Sequence, residues 1–311
     1  MQYSFDTQNA ILAMSKKQLS GRHIARLLDV SKSGVNYFLG RQEEEEMPKS
    51  QGPKILLFDL ETSAALVYAF GRHKQYINQD AVYKEGGRIL MASYRWLHEK
   101  ETHILVDKAQ IKQGLDFNVT LALWELFSEA DAVVAHNGRN FDVKMLEAAC
   151  LRNDIMTLPT VHILDTLEIA KKKFRLPSNK LDSLGAFIQA GRKVSHSGID
   201  LWVKVQQGDE DAIAEMVEYC IQDTELLHEV FIWLRSRGLV SGFNAANYYD
   251  DNKTRCKTCG SEDLEYTGRM VTTPTGKFKE IRCNTCNSVQ RNKTDYNSRD
   301  KRKSLTASPK N

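Results

Sequence analysis

Three acidic clusters and two cysteine pairs carry the chemistry that this sequence can offer. The acidic clusters are Phe58-Asp59-Leu60-Glu61-Thr62, His136-Asn137-Gly138-Arg139-Asn140-Phe141-Asp142 and Tyr219-Cys220-Ile221-Gln222-Asp223. Side chains alternate along a strand, so Asp59 and Glu61 share one face and Leu60 takes the other. Tyr219 and Asp223 stand one helical turn apart on a single face. Clustered carboxylates are hard oxygen donors suited to Mg²⁺ or Mn²⁺, and they leave coordination positions for water and substrate. Two such cations ~3.5–4 Å apart meet the needs of phosphodiester hydrolysis: an attacking hydroxide, a neutralised phosphate and a stabilised 3′ oxygen. Each cluster alone has an ordinary explanation, as a turn Asp, a first-turn helix acid or a half-buried tyrosine. The ordinary explanations do not account for all three together. His136, at the end of an apolar run, reads as structural rather than as a general base. No Ser or Cys triad and no phosphate-cradling loop accompanies these groups.

Cys256-x-x-Cys259 and Cys283-x-x-Cys286 are separated by 23 residues, the tetrahedral thiolate set that zinc favours. The insert holds β-prone pieces, Tyr266 to Met270 and Phe278 to Ile281, around Pro274-Thr275-Gly276, and resembles a zinc ribbon. It has too little apolar material to fold alone, so a structural Zn²⁺ would contribute most of its stability. Cys150 and Cys220 fall in apolar helical patterns and read as ordinary buried residues.

The elements that must position the acids alternate in type. Ile55 to Phe58 suits a buried strand, and Arg88 to Leu97 with Thr102 to Val106 suits a hairpin. Leu121 to Phe127 reads as helix, Ala132 to Ala135 as strand, Val143 to Leu151 as helix and Val161 to Leu164 as strand. Helical stretches follow to Ala190, and a long helical region runs from Asp209 to Arg237. Three strands followed by αβαβα predict an α/β fold with one mixed sheet flanked by helices.

In this order the acidic clusters resemble the motifs of the DEDD 3′–5′ exonucleases, tyrosine subgroup, and above all the proofreading domain of family B DNA polymerases. The subgroup turns on one spacing. A histidine-type enzyme has His five residues before the last Asp, where this chain has Glu218, whereas Tyr219 stands four before it. Asn179-Lys180-Leu181-Asp182-Ser183-Leu184 is similar to the segment that those domains carry between the second and third motifs. The resemblance covers residues 54–236 and implies a ribonuclease-H-like fold. By that pattern Asp59 would bridge two Mg²⁺ or Mn²⁺ ions, with Glu61 and Asp223 completing the first site and Asp142 holding the second. Tyr219 would orient the attacking water, and Asn137 and Phe141 would contact the terminal nucleotide.

A third module precedes the acids. Ser20 to Leu39 resembles a helix-turn-helix, with Ile24, Ala25 and Leu28 as an apolar face, Ser31 as a helix cap and Val35 packing back. Lys32, Ser33, Asn36 and Tyr37 would then enter a major groove. Asp29 departs from the pattern, which usually has Gly in the turn.

The charge follows the modules. The 311 residues carry 43 Lys+Arg and 40 Asp+Glu, a formal +3, but residues 253–311 hold 14 basic and 6 acidic, and the rest hold 29 and 34. A basic end on an acidic body points to a nucleic-acid-facing appendage. Arg291, Lys293, Arg299, Lys301, Arg302 and Lys303 have few apolar neighbours, so a disordered, phosphate-binding tail is expected. The 41% hydrophobic content excludes wholesale disorder. No apolar run nears ~18 residues and Met1 to Ala10 is polar, so neither a membrane partner nor a signal peptide is expected, and a cytoplasmic location is.

The expected organisation is a helix-turn-helix over residues 1–41, an acidic linker over 42–53 and an exonuclease domain over 54–239. A connector over 240–252, a zinc ribbon over 253–291 and a basic tail over 292–311 follow. The implied activity is metal-dependent 3′–5′ exonucleolysis of DNA, on single strands or 3′ ends, for a separate polymerase or a replication or recombination factor. RNA is the alternative substrate, since the metal site does not read the sugar. A DNA-binding regulator without catalysis is the alternative from another class, opposed by the complete acid set.

Overall fold

The computed structural model describes residues 7, 10, 11, 14, 21–32, 35, 52–71, 76–191 and 198–306. It divides the chain into two units, Met1–Gln51 and Gly52–Asn311. In the first unit, helix α1 (Gly21–Leu27) buries Ile24 and Ala25 with Ile11 and Val35, and Met14, Leu28 and Val30 pack on this cluster. Asp29 adopts φ +51°, so Asp takes the left-handed position that Gly usually fills. The Val35 N–H donates to the Ser31 carbonyl at 3.0 Å, as expected of a helix that starts at Ser31. Lys32 is exposed. Ser33, Asn36 and Tyr37 lie outside the described residues, as does the acidic linker up to Gln51.

The second unit is built on a mixed five-stranded sheet, in the order β5-β4-β1-β6-β7. Its strands are β1 (Ile55–Thr62), β4 (Ile89–Trp96), β5 (His103–Val106), β6 (Ala132–Ala135) and β7 (His162–Asp165). β1, β4 and β5 pair antiparallel, whereas β6 runs parallel to β1 and β7 parallel to β6. Two short strands, β2 (Leu66–Val67) and β3 (Val82–Lys84), pair outside this sheet. The helices are α2 (Lys108–Gln113), α3 (Phe117–Glu129), α4 (Asp142–Arg152), α5 (Thr166–Lys173), α6 (Leu181–Phe187), α7 (Ile199–Gln207) and α8 (Glu210–Ser236). The mixed sheet with flanking helices that the strand and helix order predicts is therefore present. Among the described residues, no helix is long and apolar enough to cross a membrane.

β1 lies in the centre of the sheet and is buried on both faces, which explains its nearly unbroken apolar sequence. Leu56, Phe58 and Leu60 pack towards Leu123 and Phe127 of α3 and Leu146 of α4. The Phe58 and Phe127 rings meet edge-on at 5.0 Å. Ile55 and Leu57 face the other way, onto Leu227, Val230 and Phe231 of α8. Asp59 and Glu61 continue the parity of Ile55 and Leu57, so alternation aims both acids at α8.

The C-terminal ribbon comprises β8 (Leu264–Thr273), β9 (Gly276–Cys283) and β10 (Val289–Arg291), in the order β10-β9-β8. The polar stretch before it is tied down: Val240, Phe243 and Ala245 are buried in the α8 core, and the Ala245 N–H donates to the Lys257 carbonyl at 2.7 Å. Tyr249 is flanked by Gly52 and Gly260, where an added Cβ would stand 2.6 and 2.4 Å from its atoms. The disorder expected beyond Arg291 is corrected here up to Thr306. β10 covers only Glu280 to Arg282, which leaves Lys277 to Lys279 on an open strand edge. Asn292 and Asp295 complete that edge, accepting from the N–H groups of Lys279 and Lys277 at 3.0 and 3.1 Å. Helix α9 (Arg299–Ser304) follows, capped by Ser298.

Candidate active site

Asp59, Glu61 and Asp223 each place a carboxylate oxygen within 4.8 Å of the other two. Glu61 and Asp223 are buried and Asp59 is half-buried. α8 supplies Asp223 from its apolar face, between Met216 and Cys220 on one side and Leu227, Val230 and Phe231 on the other. The match in level is set by one hydroxyl. Ser93 pairs with Asp59 across the β1–β4 ladder, and its Oγ donates to the Cys220 carbonyl at 2.7 Å and lies 2.6 Å from the Thr224 hydroxyl. This seam locks α8 to the sheet beside Asp223. Burial and the nearby charge of Asp59 push the Cys220 thiol well above its ordinary value, so it stays protonated and inert.

Tyr219 lies one turn before Asp223, half-buried, with its ring edge-on to Trp202 at 6.3 Å. Asp142 lies outside the group of three and stands on α4, the helix that follows β6. Continuing the β1–β6 register past Leu57 and Val134 sets Ala135 beside Phe58, so the loop after β6 leaves the sheet at the level of Asp59. Asn137 turns that loop at φ +70°, and a Cβ on Gly138 would stand 2.3 Å from that of Ala135 and 3.8 Å from Asp142 Oδ2. Asp142 opens α4 and is buried. Phe141 is exposed and Asn137 half-buried, while the His136 ring is held by the Thr166 hydroxyl at 2.9 Å. A cavity of about 560 Å³ beside this loop is lined by His136, Asn137, Lys171, Asn179, Lys180 and Asp182. It thus joins the second acidic cluster to the segment that begins at Asn179.

Two acids that the motifs do not include hold the loops. Asp165 caps α5 by accepting from the N–H groups of Leu167 and Glu168, and also accepts from Asn137 and Arg139 of the Asp142 loop. The sequence signal for it is Asp165-Thr166-Leu167-Glu168, an N-cap with acid in the first turn. Buried Asp116 accepts from the Ile89 N–H at 3.0 Å and pairs with Arg152 and Arg88, joining α3, α4 and β4. Its role depends on contacts distant in sequence, and no local pattern marks it.

The three carboxylates fit hard divalent cations by donor type and separation. The four ribbon cysteines fit zinc: all their sulfurs lie within 4.8 Å of one another, and the Cys256–Cys286 and Cys259–Cys283 pairs are each 3.6 Å apart. Tetrahedral bonds of ~2.3 Å place thiolates about 3.8 Å apart. Gly260 and Asn287, each directly after the second cysteine of a pair, both take positive φ, at +77° and +55°. The Cys259, Cys286 and Ser288 side chains crowd Cys256 with hydrogen bonds, which pull its thiol far below the ordinary range.

A model of the RNase_H superfamily matches residues 77–235, just over half of the chain. The match takes in Asp142, Tyr219 and Asp223 and begins after the strand that bears Asp59 and Glu61. No curated protein matches the chain in sequence. Among solved structures the chain is similar to the family B DNA polymerase from the hyperthermophilic archaeon Pyrobaculum calidifontis, at 12% identity and a TM-score of 0.41. That match covers 60% of this chain and 25% of the polymerase, so the chain spans about a quarter of the polymerase's length.

Proposed function

Since the chain belongs to the RNase H superfamily, we propose that it is a metal-dependent 3′–5′ exonuclease acting on DNA. The observation that carries this reading is the convergence of Asp59, Glu61 and Asp223, with Tyr219 one turn from Asp223 and Asp142 opening α4 after the strand that pairs with β1. Asp59, Glu61 and Asp223 would hold one Mg²⁺ or Mn²⁺, and Asp142 with Asp59 a second. When bound, such ions generate hydroxide from water and stabilise charge on the phosphate and the departing oxygen.

The chain's own groups do the rest. Asp59 and Glu61 are fixed by the central strand and Asp223 by the Ser93 seam, so the acids are held together before a substrate arrives. The Tyr219 hydroxyl orients the attacking water. Asn137 and Phe141 hold the terminal nucleotide at the mouth of the Asp142 loop. The ribbon's four thiolates hold one structural zinc. Its basic residues grip the phosphate backbone, and Lys32, Ser33, Asn36 and Tyr37 of the N-terminal helix-turn-helix enter a major groove.

Incubation of the purified full chain with 5′-end-labelled single-stranded DNA or RNA, with and without Mg²⁺, tests this reading. The expected result is a ladder that shortens stepwise from the 3′ end of DNA only when the metal is present. A 3′-terminal phosphorothioate linkage should stall it. Cleavage confined to RNA would transfer the reading to an exoribonuclease, and binding without cleavage of either substrate would overturn it.

A further inference from the structure

β7 is an edge strand of the five-stranded sheet, paired with β6 on one side only. Its His162 N–H donates to the Asp131 carbonyl at 3.4 Å, on the β6 side. Main-chain groups alternate in direction along a strand, so those of Val161 and Ile163 turn away from the sheet. The Arg139 guanidinium donates to the Ile163 carbonyl at 3.0 Å. Among the described residues, no hydrogen bond reaches the Ile163 N–H or the Val161 carbonyl from that side. An open edge is commonly blunted by a lysine, a proline or a bulge in the strand itself, and Val161 to Leu164 has none of these. A cavity of about 350 Å³ borders all of β7. It is lined also by Ile169, Lys172 and Lys173 of α5 and by Leu239, Ser241 and Gly242.

Charge and ladder geometry select the occupant. Arg139 and Glu168 pair with each other at 3.4 Å, and Asp165 accepts from the N–H groups of Asn137, Arg139, Leu167 and Glu168. Lys172 and Lys173 are exposed, and among the described residues neither meets a carboxylate. The unpaired charge beside the cavity is therefore positive and complementary to acids. The Val161 carbonyl and the Ile163 N–H are the acceptor and donor that one residue of a parallel neighbour takes. An antiparallel neighbour needs both groups of Ile163, and Arg139 holds the carbonyl. Two copies of this edge about a twofold axis would pair antiparallel with like charges together, which excludes a second copy. A nucleic acid would set phosphates on the lysines and against the Val161 carbonyl, with no use for the ladder groups. We infer that β7 is a docking edge for an extended, acidic segment of a partner protein, added as a sixth, parallel strand. Its carboxylates would meet Lys172 and Lys173, and an apolar side chain would enter against Ile169 and Leu239. This edge needs no contribution from the carboxylate site and stands whether or not that site cleaves DNA.

The test uses the purified full chain and the fluorescent octapeptide Glu-Glu-Val-Val-Glu-Glu-Val-Val, which puts acid and valine in turn on each face of a strand. Fluorescence anisotropy should show saturable binding with a Kd below about 1 mM. The same peptide with alternate amides N-methylated keeps its charge and loses its ladder donors, and should bind about tenfold more weakly. Hydrogen exchange at the Ile163 amide should slow when the unmethylated peptide is bound. Lys172→Glu/Lys173→Glu should weaken the peptide about 3- to 10-fold while affinity for fluorescent oligothymidylate, without added Mg²⁺, stays within twofold. Absence of saturable binding overturns the inference. Equal affinity for the methylated peptide, or an Ile163 amide that exchanges as before, overturns it too, since charge alone would then hold the peptide. A double variant that keeps the peptide and loses oligothymidylate would make the lysines a nucleic-acid contact and likewise overturn it. The methylated peptide tests the unaltered chain, so the outcome does not depend on how the variant folds.

Discussion

The hydroxyls of Ser93 and Thr224 lie 2.6 Å apart in the buried seam between β4 and α8, and Thr224 is the neighbour of Asp223. Ser93 also stands opposite Asp59 in the β1–β4 ladder. One hydroxyl therefore couples the strand acids to the helix acid. Ser93→Ala removes the donor to the Cys220 carbonyl and deprives the Thr224 hydroxyl of its partner across the seam. The expected cost is about 1–3 kcal/mol of stability, read as a lower melting temperature, together with a lower turnover rate. A valine at 93 should cost more, because it adds volume to a filled seam. An alanine variant with unchanged melting temperature and rate would show that the seam positions nothing.

Asp59, Glu61 and Asp223 repel one another without a cation, being three carboxylates within 4.8 Å. Asp59→Asn should therefore raise the melting temperature of the metal-free chain while reducing hydrolysis to background. The sign reverses when metal is added. The unaltered chain should gain about 2.7 kcal/mol at a Mg²⁺ concentration 100 times its Kd, and the variant clearly less. Melting curves over a Mg²⁺ titration decide this, and parallel gains in both chains would remove Asp59 from the metal site.

Tyr219→Phe keeps the ring that packs on Trp202 and removes only the hydroxyl. If that hydroxyl orients the attacking water, turnover should drop about 10²–10³-fold, the usual cost of losing one positioned donor. The melting temperature should not move. A rate within twofold of the unaltered chain would make Tyr219 a packing residue.

Legibility in the sequence followed locality. The β1 acids could be read because strand alternation fixes which face they share, and the Tyr219–Asp223 pair because a helix turn fixes theirs. The five main strands and the long helix carry strong apolar patterns, and the structure has them within a few residues of the expected bounds. What the sequence hid depends on distant contacts. Ser93 has no local mark, since its role comes from α8 more than 100 positions later. Asp116 gathers β4, α3 and α4, and Asp165 braces a loop nearly 30 residues before it. The tail after Arg291 reads as disordered because its composition lacks apolar residues, yet its Asn292 and Asp295 side chains close an open strand edge. Tyr68, Phe70 and Tyr76 fall in a stretch without a regular apolar period, and their exposure becomes visible only when the core is known to exclude them.

Gly138 joins the Asp142 loop to the sheet at contact distance. A Cβ there would stand 2.3 Å from that of Ala135, inside the buried end of β6. Gly138→Ala must therefore push the loop away from the sheet, at about 1–3 kcal/mol, the range for overpacked sites. Asp142 moves with the loop, so activity should fall further than stability does. Hydrolysis measured well below the melting temperature separates the two effects, and full activity there would show that Asp142 needs no fixed approach.

The ribbon gives the last prediction its sign. Beside the four cysteines and Leu264 it buries only Phe278 and Ile281 among its large apolar side chains, too little to hold three strands without a cross-link. The ribbon also packs on the main sheet unit, through Ser288 against Gly238 and Lys257 against Ala245. Losing the metal should unfold the ribbon and lower the melting temperature of the whole unit, rather than releasing an independent module. The purified chain should carry one zinc, and Cys283→Ser should carry none and melt earlier. Zinc content by atomic absorption with melting of the same samples checks both halves. A zinc-free chain that melts no earlier than the zinc-loaded one would show that the ribbon holds without an ion.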